Sequence, residues 1–323
     1  LYLLTVADVS TTSPTSMTKW KASMLDSLLH AADAVLAEGA GSTGGHEARV
    51  EELRAKVRAL FPAGVDEAAL EQYLVSMPER YLLSNAPREI AAHAALAISP
   101  RQTPVSFALV PSPLTDGVEL CVVTEGRSQA GLCVVAGDRP GLLAAIAAAI
   151  AANRLEIQAA QINSRPLPSG DFQAVDLFWV RAEEADLAPR LDKLRRDLLA
   201  VIAGDVAPSS LVKQPRATRW SARPLPPVST EIVFDHRGSA DHTIIEVLTQ
   251  DRPVLLFTLA QALHTLDISI SVAKISTEGT RAIDVFYVNE ADGSKLERVT
   301  RAEEVRRTLL ATLAELDARA AAS

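Results

Sequence analysis

Two stretches decide the fold. Residues 137–180 read GDRPGLLAAIAAAIAANRLEIQAAQINSRPLPSGDFQAVDLFWV, and residues 250–288 read QDRPVLLFTLAQALHTLDISISVAKISTEGTRAIDVFYV. Each runs through an Asp-Arg-Pro turn, an apolar segment of helix length, a strand, a turn and a second strand. The second strands end alike, in Val-Asp-Leu-Phe and Ile-Asp-Val-Phe. The loop aspartates Asp138 and Asp251 stand 113 residues apart and the strand aspartates Asp176 and Asp284 stand 108 apart, so the first copy carries five extra residues. They fit the turn around Arg165 to Gly170, where Pro166, Pro168 and Gly170 cluster. Repetition at this scale marks a duplicated module.

A helix follows each copy, at residues 183–202 and 302–318, and a strand precedes each, at residues 118–124 and 230–235. Four strands and two helices per unit are the ingredients of a ferredoxin-like α+β sandwich. The expected domains are a helical segment and connector over 1–100, a first module over 104–204, a Pro/Arg-rich linker over 205–228 and a second module over 229–320. In the first hundred residues, helical periods occupy 17–37 and 47–60, separated by the breaker GAGSTGG at 39–45. Asp66 starts a further short helix and Pro87 sits in the first turn of another. Strands at 105–110, 118–125 and 130–137 complete the reading.

Composition narrows the function classes. The chain has 323 residues, of which 48% are hydrophobic and 22% charged, with a formal net charge of −8. That balance points away from a nucleic-acid binder. The linker cations Lys213, Arg216, Arg219 and Arg223 are accompanied by one aromatic, Trp220. The most apolar stretch, residues 141–152, is too short to cross a bilayer, so no membrane partner is expected. Cys121 and Cys133 lie in strand-like runs without metal-ligand spacing and read as thiols in a reducing cytoplasm. The chain begins at Leu1 without a basic signal-peptide region, and an upstream part of the protein is expected.

The repeated turn has its own chemistry. Asp138 can cap the following helix or pair with a ligand's ammonium group. Pro140 suits a first helical turn, and Gly141 allows another backbone or a ligand to come close. Free N–H groups at a helix start receive carboxylates. Such a turn can grip both charged groups of an amino acid, although Asp-x-Pro is also an ordinary helix start.

On these residues the two units resemble ACT domains, regulatory modules that often bind amino acids at an interface near this turn. The resemblance implies ligand contacts from Asp138, Arg139 and Gly141 with Asn153, Leu155 and Ile157 opposite, and from Asp251 and Arg252 with Leu266 and Ile268. The second copy departs from the motif, because Val254 stands where Gly141 stands in the first and its branched side chain crowds a close approach.

The N-terminal third extends the resemblance. LYLLTVADVSTTSP (1–14) with WKASML (20–25) resembles the end of an HD-type phosphohydrolase domain. MPERYLL (77–83) with PREIAAHAAL (87–96) resembles the connector to tandem ACT modules. The chain as a whole is similar to the C-terminal part of the bifunctional uridylyltransferase/uridylyl-removing enzymes of bacterial nitrogen control. That resemblance implies glutamine as allosteric ligand, the PII signal protein as partner, and Mg or another divalent metal for the parent enzyme, with Asp8 as one ligand of a partial metal site. No catalytic set is complete: no His is followed by Asp, and neither a nucleotidyltransferase signature, a P-loop nor a nucleophile elbow occurs. The chain alone is therefore expected to be inactive. Two further readings stay open, a stand-alone tandem ACT sensor acting on a partner protein and an ACT pair attached to a biosynthetic enzyme. His93, on a helix among alanines, reads as a packing or surface residue.

Overall fold

The computed structural model describes residues 3–4, 29, 43–61, 66–100, 103–112, 120–124, 127–182, 187–212, 228–278 and 280–321. The helical period expected at 17–37, the TVAD segment with Asp8 and most of the Arg-rich linker lie outside the described residues.

Among the described residues from 43 to 100 the chain forms α1 (Thr43–Leu60), α2 (Glu67–Ser76), α3 (Glu79–Ser84) and α4 (Pro87–Ile98). Asp66 caps α2 by accepting the Ala69 N–H at 3.0 Å. Pro87 opens α4, where its missing N–H costs nothing. The first module follows as β1 (Val105–Val110), β2 (Cys121–Thr124), β3 (Arg127–Gly137), α5 (Leu142–Ala152), β4 (Leu155–Ile162), β5 (Ser164–Pro166), β6 (Phe172–Ala182), α6 (Ala188–Ala203) and α7 (Pro208–Leu211). The second comprises β7 (Glu231–Asp235), β8 (Thr243–Gln250), α8 (Leu255–Thr265), β9 (Ile268–Glu278), β10 (Arg281–Glu290) and α9 (Val299–Ala321).

The strands form one ten-stranded sheet in the order β1-β3-β6-β4-β9-β10-β8-β7, with β2 on β3 and β5 on β6. The two modules are therefore joined edge to edge. Antiparallel β4 and β9 pair from Ala159↔Ser276 to Ile162↔Ala273. Within each module the leading strand flanks the strand that runs into the DRP turn, giving the α+β sandwich expected of ferredoxin-like ACT modules. In the first module that flanking strand is β1, not the segment at 118–124. β2 instead continues along the same edge of β3, pairing Cys121↔Ala130 to Thr124↔Arg127. The five extra residues of the first copy do more than turn. β5 pairs with β6, Ser164↔Ala174 to Pro166↔Phe172, and a short loop closes the arm. The start of the expected linker is α7, whose Leu211 packs against the main core.

The two halves of the sheet are covered differently. α5 to α9 lie on one face throughout, and α5 and α8 pack side by side across the junction. α5 is apolar all round and buried from Leu142 to Ile150, which its small alanines permit. On the other face, among the described residues, α1–α4 pack Tyr73, Leu82, Ile90 and Ala94 against Cys133, Val135, Leu177 and Trp179 of the first module, and reach the second through Arg80, whose guanidinium lies 5.4 Å from the centre of the Tyr287 ring. β6 is accordingly buried on both sides, whereas β10 alternates buried and half-buried positions. Leu177 and Val285 hold equivalent places in the repeat, but only Leu177 has a layer over it.

Two outcomes follow. Leu177→Ala lowers unfolding free energy by about 2–5 kcal/mol, the range for a buried leucine, while Val285→Ala costs less than about 1 kcal/mol; denaturant midpoints compare the two. Gly141 has φ +78°, and a Cβ there would lie 2.9 Å from His264 Nε2, whereas a Cβ on Gly137 meets nothing within 4 Å. Gly141→Ala therefore destabilises by about 1–2 kcal/mol or more, and Gly137→Ala stays within about 0.5 kcal/mol in the same assay.

Candidate functional site

The DRP turn of the first module opens into a cavity of about 190 Å³. Asp138, Gly141, Leu143 and Ala144 come from the turn and the start of α5, and Asn163, Ser164, Ala174 and Asp176 come from β5, β6 and the bend before β5. His264 and residues Ile268 to Ser271 come from α8 and β9 of the second module. The site is thus built across the β4–β9 junction. Its size suits a small polar metabolite rather than a drug-sized ligand.

Local sequence explains the turn. β3 ends at Gly137, and the Asp138 N–H donates to the Phe172 carbonyl at 2.9 Å, tying the turn to β6. The second module repeats the bond, from the Asp251 N–H to the Thr280 carbonyl at 2.7 Å. Asp138 makes no capping bond to α5. The N-cap is Gly141, in the left-handed region, and the helix starts at Leu142. Arg139 and Pro140 separate the carboxylate from the cap position, so it is left to line the cavity. The helix start beside it has N–H groups without an i−4 carbonyl in the helix.

The floor is a buried acid. Asp176 is 1% exposed; its Oδ1 accepts the Asn163 N–H at 3.3 Å and its Oδ2 has no partner. Burial, with Asp138 nearby, pushes its carboxyl well above the usual range. The Ser164 hydroxyl is also buried without a partner. In the second module Asp284 repeats Asp176, also 1% exposed, and both of its oxygens lack partners. Burial first and Asp251 second push it well above the usual range. Asp251 itself is raised to about 7, by burial first and then by Glu156.

Of the residues singled out by sequence, Asp138, Arg139 and Gly141 come together with Ile268, so the pairing is crosswise: the first turn faces the second module's strand. The expected pairing of Asp138 with residues 153–157 of its own copy is not found. Leu155 is buried in the core and Ile157 packs against it, while Glu156 between them influences Asp251 of the other module. Arg139 has a guanidinium bound to the Ile202 carbonyl at 2.7 Å, satisfying the open C-terminal end of α6. Arg252 does the analogous work through Asp317 of α9, with its Nε 2.6 Å from that carboxylate. Asn153 is buried, donating to the Ala149 carbonyl and to Asp197. Leu266 offers its carbonyl to Arg301. All four satisfy groups of the fold, because each buried or terminal backbone group near the turn needs a partner, and Arg139 lines the cavity as well.

Sequence reasoning did not place Asp176, Ser164, His264, Ser269 or Ser271 in the site. For Asp176 a signal was present: an acid inside an otherwise apolar strand, repeated at Asp284. The second turn lacks an equivalent cavity among those described. Val254 occupies the left-handed cap position at φ 61°, a costly conformation for a branched residue. Where the first site has Ser269, the second has Glu156, held by Arg181 in an ion pair. Among the described residues no three His, Cys, Asp or Glu side chains gather as a metal site. His93 is buried and accepts or donates through Nδ1 to the Tyr81 hydroxyl at 2.9 Å. No helix among the described residues is long and apolar enough to cross a membrane.

The raised Asp251 makes stability pH-dependent with a defined sign. The folded state holds this proton more tightly than the unfolded chain, whose aspartates titrate near about 3.9. Stability is therefore fully present below that value and is lost as pH rises to about 7. Thermal unfolding from pH 4 to 8 shows this decline, at most about 1.4 kcal/mol per pH unit from this group, and Asp251→Asn flattens that part of it.

Comparison with known proteins agrees with this construction. The model described as "ACR family N-terminal ACT domain" matches residues 238–312. The bifunctional uridylyltransferase/uridylyl-removing enzyme of Azospirillum brasilense is 31% identical over 98% of this chain and 32% of its own length. The enzyme of the same name from Gluconobacter oxydans is 32% identical over 97% of this chain and 32% of its own. That of Caulobacter vibrioides is 30% identical over all of this chain and 33% of its own. The chain spans about a third of the length of the curated relatives it matches. It is homologous, over nearly its whole length, to the ACT-bearing part of the bifunctional uridylyltransferase/uridylyl-removing enzymes.

Proposed function

We propose that this chain is the regulatory, C-terminal part of an enzyme that uridylylates and deuridylylates the PII signal protein, and that it senses glutamine at the cavity between its ACT modules. The observation that carries this reading is the unpartnered Asp176 oxygen on the cavity floor. A buried carboxylate without a partner is costly, and an ammonium group at 3 Å or so removes that cost.

Asp176 and Asp138 take the α-ammonium of the ligand, and the N–H groups at the start of α5 take its carboxylate. Ser164, Ser269 and Ser271 supply hydroxyls for a side-chain amide. Because the cavity draws on both modules, occupancy favours one relative arrangement of them, and a ligand shifts such an equilibrium by its differential affinity. Uridylyl transfer and uridylyl removal, with the divalent metal for which Asp8 is one expected ligand, need more than the third of the relatives' length that this chain spans. The size of the cavity supports an amino acid as small as glutamine over larger effectors.

Calorimetric titration tests the reading. Glutamine gives saturable heat with one site per chain. Asp176→Asn and Asp138→Ala each weaken it at least about tenfold, as expected for loss of a charge-assisted bond of about 1.5–3 kcal/mol. Absence of heat with glutamine, or unchanged affinity in both variants, overturns it; heat with a different amino acid supports the stand-alone sensor instead.

A further inference from the structure

The five-residue insertion of the first module sits between the cavity and the N-terminal helices. Resting on the reading of the cavity as an amino-acid site, the geometry points to the β5–β6 arm as the relay that couples its occupancy to α1–α4, with Gln173 and Arg165 as its contacts.

Strand alternation gives the arm two working faces. Ser164 and Ala174 are paired neighbours and both line the cavity. The next pair, Arg165 and Gln173, points to the opposite face. Both are buried, at 4% and 2% exposure. Gln173 Oε1 accepts from Arg165 Nε at 2.7 Å, and Gln173 Nε2 donates to the Ala97 carbonyl in α4 at 3.3 Å. Arg165 donates to the Ser76 hydroxyl in α2 at 2.9 Å, and its guanidinium lies 4.9 Å from the centre of the Tyr73 ring. Tyr73 in turn bonds the Tyr81 hydroxyl at 2.8 Å, which reaches His93 in α4. The turn itself is fastened to this arm by the Asp138–Phe172 bond, one residue from Gln173.

The second module has the same turn-to-strand bond but no relay. Its residue equivalent to Gln173 is Arg281, which is exposed, and the described helices meet β10 instead at its other end, where the Arg80 guanidinium lies 5.4 Å from the centre of the Tyr287 ring. One copy of a duplicated sensor is therefore wired to the N-terminal helices, and the wire is the segment the other copy lacks. A close-packed buried polar chain of this kind passes a displacement on rather than absorbing it.

Hydrogen exchange on the full chain tests the relay. With saturating glutamine, amides of α2 and α4 around Ser76 and Ala97 slow about fivefold or more, the lower range of allosteric couplings. Gln173→Met binds glutamine within about threefold of the parent chain but loses that slowing; Ser76→Ala, a milder change at a half-exposed position, reduces it. A third arm needs no ligand: Asp176→Asn alters α2 and α4 exchange without glutamine, and Gln173→Met added to it abolishes the effect. Bound glutamine with unchanged exchange in α2 and α4, or slowing that persists in Gln173→Met, overturns the relay. If glutamine gives no heat, the functional reading fails, and the ligand-free arm alone decides the relay: an effect of Asp176→Asn that vanishes with Gln173→Met upholds it, and no effect overturns it.

Discussion

Everything else in this molecule depends on the pairing of β4 with β9. Four residue pairs close what would be an exposed edge on each module. They fuse two sandwiches into one sheet and bring α5 alongside α8. That contact sets His264 against Gly141 and faces the first DRP turn with the start of β9. Without the edge pairing each turn would open to solvent, and no cavity would exist to shield a small ligand.

The second constraint is electrostatic. Asp176 and Asp284 occupy matching positions in interior strands, buried and incompletely paired. Such groups oppose folding unless something offsets them, and they stay where they contribute to function. The two copies resolve the problem differently. In the first, the acid faces a cavity that can admit a cation. In the second, Val254 at the cap and the Glu156–Arg181 pair stand where a ligand would, and the strain of a branched residue at positive φ is retained. The two copies of the turn have thus diverged at the cap and at the strand that faces it.

Most of the fold was legible from the repeat. Two copies with the same order of turn, helix and strands yielded the sandwich, and α2 and α4 were announced by Asp66 and Pro87. The sequence misled where a residue's partner lies far along the chain. Asp138 looks like a helix cap, but Gly141 takes that place because the turn needs a left-handed residue. Arg139, Asn153 and Arg252 each satisfy groups of a following helix, a contact that no local pattern announces, and of the three Arg139 also lines the cavity. The crosswise site was hidden for the same reason: residues 138 and 268 meet only through the β4–β9 edge. The insertion at 165–170 reads as a loop from its prolines, while its pairing with β6 depends on cover from α2 and α4.

Having both modules on one chain has a consequence for how the site behaves on dilution. A cavity shared between two separate subunits comes apart as concentration falls, and its response then tracks protein abundance as well as ligand. Here the second half-site is on the same polypeptide as the first, so their meeting is not a bimolecular event. The composite pocket therefore has the same makeup in a scarce protein as in an abundant one.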